Sequence, residues 1–354
     1  MIITINNNTE LESFITTKHI DDNLITTFKI IKCDNLIYLP EESIKHLVAL
    51  TTFHIENCNN LTHLPESICH LRELTNLNIW NCDKITHLPD TLYQLHALTS
   101  IYIYKCKTLT LNSLAESFCQ LSALTRINIS CCDNLIYLPE SFSQLQKLKA
   151  LFIYSCNNLT LYSLTESIGD FSALTSLHIY NCEKITILPE SIGKLPSLTK
   201  FDISCCNNLT HLPESFGKLS TLIRFEIYNC EKITHFSESF GNLHSLTTFI
   251  ISVCNNLTHM PANMGLMRAL TTLTIYECEK LTHYVLPNSI CFCNNLQTIY
   301  ISNINMLPPS MILLEKLNEI TVIDNYIKTL QNINEMRTQW YLMLKIPRAI
   351  DTPC

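Results

Sequence analysis

The chain has 354 residues, 47% of them hydrophobic, with 24 Lys and Arg against 31 Asp and Glu and a formal net charge of −7. An acidic chain with scattered lysines lacks the basic face that phosphate binding needs, which sets nucleic acid aside as a partner. No stretch reaches the roughly 20 consecutive apolar residues of a membrane span, and the opening MIITINNNTE shows neither the basic nor the apolar region of a secretory leader. A cytoplasmic address and no membrane partner are therefore expected.

In chain order, residues 1 to 24 read as an N-terminal cap. MIITI suits an edge strand, and Leu11, Phe14 and Ile15 suit a partial repeat behind it. Residues 25 to 330 are repetitive. Cys58, Cys82, Cys106, Cys132, Cys156, Cys182, Cys206, Cys230, Cys254 and Cys278 follow one another at intervals of 24 or 26 residues. A fixed period of this size means one small supersecondary element stacked many times.

Residues 174 to 197 and 198 to 221 give the template L-x-x-L/F-x-I-x-x-C-x-x-L/I-T-x-L-P-E-S-I/F-x-x-L. Its first half alternates apolar and polar, as in Leu174, Leu177 and Ile179, which is a short half-buried strand. Pro189 ends that run because proline has no N–H to give to a ladder. Ser191, Ile192 and Leu195 then suit a helical or 3₁₀ turn on the opposite side. No repeat can bury its apolar edge alone, so its neighbours supply the walls. Residues 331 to 354 place Ile333, Met336, Trp340 and Met343 at helical spacing, the pattern of a C-terminal cap.

These motifs resemble the leucine-rich repeat family, L-x-x-L-x-L-x-x-N/C-x-L, in its longer LPxxI form. They are similar to the leucine-rich regions of plant nucleotide-binding disease-resistance receptors and of intracellular Ras-pathway scaffolds, over about Ile25 to Leu330. The resemblance implies an α/β solenoid of about thirteen right-handed repeats, with a curved parallel sheet inside and short helical turns outside. It also implies a non-catalytic protein-binding platform. The receptors' nucleotide-binding and signalling domains have no counterpart here.

Eighteen cysteines would signal disulfides in a small secreted protein. In one repeated slot they are expected as buried reduced thiols, since neighbouring strands stand about 4.8 Å apart and bridged Cβ atoms stand nearer about 3.8 Å. The doublets Cys131-Cys132 and Cys205-Cys206 place Cys131 and Cys205 off the slot, as the more accessible thiols. Cys291 and Cys293 lack the second pair that a zinc site of this spacing needs. The row His63, His87, His211, His235, His259 and His283 invites a metal- or pH-responsive reading, against the plainer one of repeat duplication. Four Asn-Leu-Thr sequons, at Asn60, Asn158, Asn208 and Asn256, lose their meaning in a cytosolic chain. With five glycines and no nucleophile elbow, P-loop or H-E-x-x-H, neither an enzyme, a cofactor nor a small-molecule substrate is expected.

The template varies where the strand faces outward, at two, four, six and seven residues after the leading Leu. Those positions hold Trp80, Tyr102, Tyr104, Phe152, Tyr154, Tyr180 and Tyr228, joined by Arg126, Lys200, Asp202, Arg224 and Glu226. Aromatic residues in strands can express β-propensity alone. On an open face they are the residue types that dominate interface hot spots. A protein partner on the concave face is expected, in a scaffold, or alternatively in an effector of an intracellular parasite or virus that binds a host protein. The repeats of Cys106 and Cys156 carry longer LTLNSLAES and LTLYSLTES segments, whose extra residues, 111 to 113 and 161 to 163, would bulge on one flank.

Overall fold

The computed structural model describes residues 1–16, 24–111, 120–162, 167–281, 285–324, 327–330 and 336. The helix expected over 331–354, apart from Met336, lies outside the described residues, as do His283, Ser113 and Ser163. The chain forms two compact units, Met1–Ser197 and Leu198–Cys354.

In the N-terminal unit the strands are β1 (Ile2–Ile5), β2 (Thr27–Ile31), β3 (Thr52–Glu56), β4 (Asn76–Trp80), β5 (Ser100–Tyr104), β6 (Arg126–Ser130), β7 (Ala150–Tyr154) and β8 (Ser176–Tyr180). Each pairs in parallel with the next, so the MIITI strand pairs with the first repeat, with Ile2 beside Thr27. Leu11 and Phe14 do not form a partial repeat: they sit buried on a nine-residue helix, α1 (Asn8–Thr16). The register is one-to-one, with Leu77 beside Ile101 and Ile79 beside Ile103. Alternation does the rest, because residues two apart share a face. Leu77 and Ile79 are fully buried, whereas Asn76, Asn78 and Trp80 face outward.

Opposite the sheet the chain makes 3₁₀ turns, such as Glu66–His70, Asp90–Gln94, Glu140–Gln144 and Glu190–Lys194, each entered from an extended proline. Ile68, Leu92, Phe142 and Ile192 close the core from that side. The Pro-Glu-Ser motif has a second use. The Glu41 carboxylate accepts the Glu66 and Ser67 amides at 3.1 and 2.7 Å, while Ser67 Oγ donates to the Glu41 carbonyl at 2.7 Å. Glu66 does the same for Asp90 and Thr91 in the next repeat. Each glutamate thus caps its neighbour's turn, whose first amides have no partner of their own.

Every rung cysteine from Cys33 to Cys278 is buried and in no disulfide. Its thiol donates back to the carbonyl two residues earlier, as in Cys82 to Trp80 at 3.3 Å and Cys132 to Ser130 at 3.4 Å. Burial pushes the Cys106 thiol up to about 12, which keeps it protonated and inert at neutral pH.

The residue before each rung is left-handed. Asn57, Asn81, Lys105, Cys131, Ser155 and Asn181 have φ of 51° to 54°, and this turns the chain out of the strand. The turn aims the residue's N–H at the following repeat: Asn81 donates to Tyr104 at 2.8 Å and Cys131 to Tyr154 at 2.8 Å.

The C-terminal unit repeats this plan with β9 (Lys200–Ser204), β10 (Arg224–Tyr228), β11 (Thr248–Ser252), β12 (Thr272–Tyr276), β13 (Thr298–Ile301) and β14 (Glu319–Asp324), all parallel. A final strand, β15 (Ile327–Leu330), pairs antiparallel with β14. Phe201, Phe216, Phe225, Phe240 and Phe249 stack through its core at centroid distances of 5.0 to 5.7 Å.

From Cys156 to Cys278 the rungs read C-N-N and C-E-K in alternation, and the alternation has a structural reason. Lys232 and Lys280 donate to the side-chain oxygens of Asn208 and Asn256, at 2.8 and 2.6 Å. Asn256 reaches back to the Glu231 carbonyl at 2.7 Å. Successive repeats are therefore complementary, and a pair is the natural unit of duplication.

Candidate partner-binding surface

The outward face of β4 to β8 is built from three rows. The first holds Asn76, Ser100, Arg126, Ala150 and Ser176, the second Asn78, Tyr102, Asn128, Phe152 and His178, and the third Trp80, Tyr104, Ser130, Tyr154 and Tyr180. Trp80, Tyr104 and Tyr180 are 37%, 37% and 44% exposed. Tyr102, Phe152 and Tyr154 are half-buried by their neighbours.

The rings support one another. Tyr154 meets Tyr180 edge-on at 6.2 Å, Phe152 lies 6.1 Å from Tyr154, and His178 stacks on Phe152 at 4.7 Å. The Arg126 guanidinium lies 5.2 Å from the Phe152 centroid, and Lys105 Nζ lies at the same distance from Tyr104. At one edge, His54 meets Trp80 edge-on at 4.7 Å and contacts Glu56 at 3.1 Å. Sequence reasoning passed over Lys105, His178 and His54. Lys105 occupies the seventh template position, so its place was readable although its stacking was not.

In the C-terminal unit, the strip of Lys200, Asp202, Arg224, Glu226 and Tyr228 shares one strand face. By register, Lys200 stands beside Arg224 and Asp202 beside Glu226, like beside like. Arg224 pairs within its own strand, with Glu226 two residues on. Tyr228 is 46% exposed between Ser204 and Ser252.

The histidine row lies on a flank of the repeats. His63 and His87 stack at 6.1 Å, as do His235 and His259 at 5.7 Å. Thr62 Oγ1 gives its proton to the Ile37 carbonyl and so accepts from His63 Nδ1 at 2.9 Å; Thr258 does the same between Thr234 and His259. Parallel rings held in this way present their nitrogens side by side instead of around a common centre. Among the described residues, no group of three or more His, Cys, Asp or Glu is placed to hold a metal ion.

Cys131 and Cys205 are half-buried at left-handed positions, and Cys69 is half-buried on the 3₁₀ turn Glu66–His70. Cys293 donates to the Met264 carbonyl at 3.3 Å, and burial holds its thiol at about 12. The sequon amides of Asn60 and Asn158 donate to the carbonyls of Asp34 and Asp133, at 2.6 and 2.8 Å. Beside the second longer segment, Tyr162 is 83% exposed and, with Leu161, Ile187 and Pro189, lines a cleft of about 210 Å³. Among the described residues, no helix is long and apolar enough to cross a membrane.

Residues 131–283 match the family model described as a leucine-rich repeat region. No curated protein matches the chain. Among solved structures, the leucine-rich repeat domain of the type III effector XopL is 24% identical, covering 69% of this chain and 73% of that one, with a TM-score of 0.49. A leucine-rich repeat protein of Leptospira interrogans is 20% identical, covering 90% and 88%, with a TM-score of 0.47. An internalin from Listeria monocytogenes is 14% identical, covering 88% of each chain, with a TM-score of 0.49. Residues 131–283 are thus a leucine-rich repeat region, and the same plan of parallel strand and 3₁₀ turn recurs in the described repeats on either side of it.

Proposed function

We propose that the outward face of β4 to β8 binds a protein, and that the chain acts without catalysis as a cytoplasmic interaction scaffold. The observation that carries this reading is the row of Trp80, Tyr104, Tyr154 and Tyr180. These rings stay partly exposed on a sheet face while their aliphatic neighbours one residue away are fully buried. Rigid aromatic side chains contribute large contact area at little entropic cost and dominate interface energetics. The charged strip of Lys200, Asp202, Arg224, Glu226 and Tyr228 is a second contact region in the same reading. Neither region needs a cofactor, a metal or a small-molecule substrate.

The test changes Trp80, Tyr104, Tyr154 and Tyr180 together to Ala. These side chains point away from the core, so the circular dichroism spectrum and unfolding midpoint should be retained while affinity capture of the partner fails. Retained capture would move the binding site off this face. The species of the captured protein separates a scaffold acting in its own cell from an effector delivered into a host.

A further inference from the structure

The face of β4 to β8 has its own charge sign. The segments 75–81, 99–105, 125–131, 149–155 and 175–181 contain Lys105, Arg126 and Lys149 and no Asp or Glu, in a chain of net charge −7. The acids nearest in sequence are Glu73, two residues before the first segment, and Asp83, Asp133 and Glu183, each one residue after a buried cysteine rung, while Glu56 stands beside Trp80 at the β3 edge. Asp83 is paired there with Lys107 at 2.9 Å.

Within this face β6 is a trough. After Arg126 its outward residues are the small polar Asn128 and Ser130, and Ser130 is only 8% exposed. Tyr102 and Phe152 stand on either side of Asn128, and Tyr104 and Tyr154 on either side of Ser130. These walls rise from strands two spacings apart, about 9.5 Å; Tyr104 and Tyr154 cover Ser130, so the accessible part of the trough is the end at Asn128 and Arg126. Arg126 is exposed at the start of the trough, with its guanidinium beside the Phe152 ring. Ser130 Oγ donates to Asn128 Oδ1 at 2.7 Å, which orients the Asn128 amide with its NH₂ as the donor.

We propose that this trough seats a carboxylate side chain, Glu or Asp, from an acidic segment of a partner protein. The proposal rests on the protein-binding reading above and adds the chemistry of the occupant. Arg126 supplies a planar fork that matches a carboxylate, and the ring beside it limits the orientations the fork can take. The aromatic walls exclude water around the ion pair, which strengthens it. Lys105, held over the Tyr104 ring, extends the attraction to an acid flanking the inserted one. Two separated cations on this face suit a short acidic segment better than a polyanion, because nucleic-acid binding draws its affinity from many phosphates neutralised together.

The experiment selects a phage-displayed random dodecapeptide library on the full chain, with counter-selection on the W80A/Y104A/Y154A/Y180A variant. The selected peptides are expected to share an acidic residue at a fixed position. Their affinity should fall about tenfold or more in R126Q, whose unfolding midpoint stays at the wild-type value, and should fall with added salt. Peptides without acidic enrichment that bind wild type and R126Q equally would overturn the acidic occupant and leave the protein-binding face standing. If no peptide distinguishes wild type from the quadruple variant, both readings fail. A labelled uridine oligonucleotide that binds wild type and is lost in R126Q would overturn the proposal in favour of single-stranded nucleic acid.

Discussion

Val253 occupies the left-handed position before its rung, with φ of 55°, where the equivalent residues of four other repeats are Asn57, Asn81, Asn181 and Asn229. For a residue with a Cβ the left-handed region costs roughly 1–2 kcal/mol, and a β-branched residue there is an outlier. Asparagine tolerates it far better. The backbone conformation must be kept, because the Val253 N–H donates to the Tyr276 carbonyl at 2.9 Å in the next repeat. Val253 is only half-buried, so little apolar burial is lost when it is replaced. Val253→Asn should therefore stabilise the C-terminal unit by about 1 kcal/mol, and Asn81→Val should destabilise the N-terminal unit by a similar amount. Stacked repeats need not unfold in one step, so the assay is urea unfolding read by hydrogen exchange at strand amides of each unit. A lower midpoint for Val253→Asn, or no change for Asn81→Val, would refute the claim that this turn is strained by its side chain.

Two further outcomes are expected. In the native protein, a thiol reagent should label Cys131, Cys205 and Cys69 well before the rung cysteines, read by mass spectrometry of the labelled peptides; rapid labelling of Cys106 would contradict its burial and raised pKa. Burial alone would raise the Glu41 carboxyl, but bonds from Ser67 and Glu66 outweigh it and hold the group below its ordinary value of 4.5. A depressed carboxyl contributes stability above its unfolded pKa and loses it as pH falls through the folded one. Glu41→Gln should consequently lower stability at pH 7 and lose part of the wild-type decline below about pH 4.5, measured as urea midpoints; parallel pH profiles would remove the capping role.

Much of this structure was legible because the repeat states its constraints many times over. The strand alternation around Leu177 and Ile179, the break at Pro189 and the burial of the cysteine slot follow from residue types at fixed spacing. What stayed hidden acts laterally, between residues about 24 positions apart. The capping of Ser67 by Glu41, and the bonds from Lys232 to Asn208 and from Lys280 to Asn256, join side chains whose meeting depends on how one repeat sits on the next. The left-handed turn left a faint signal in the recurrence of asparagine before the rung, blurred by Lys105, Cys131, Ser155 and Val253 in the same slot. For the candidate surface, the residues that the template singled out from Trp80 to Tyr228 sit at outward strand positions within their own units. The template did not give the like-beside-like register of Lys200 with Arg224, nor the stacking of Arg126 and His178 on Phe152. Those depend on side-chain conformations chosen across neighbouring strands.

Hydroxyl-radical footprinting of the chain with and without its captured partner tests the central claim most directly, since it reads aromatic side chains one at a time. Protection of Trp80, Tyr104, Tyr154 and Tyr180, with Tyr137 and Tyr162 on the flank unchanged, is the predicted result. Protection of Tyr137 and Tyr162 with the strand-face rings still reactive would contradict it.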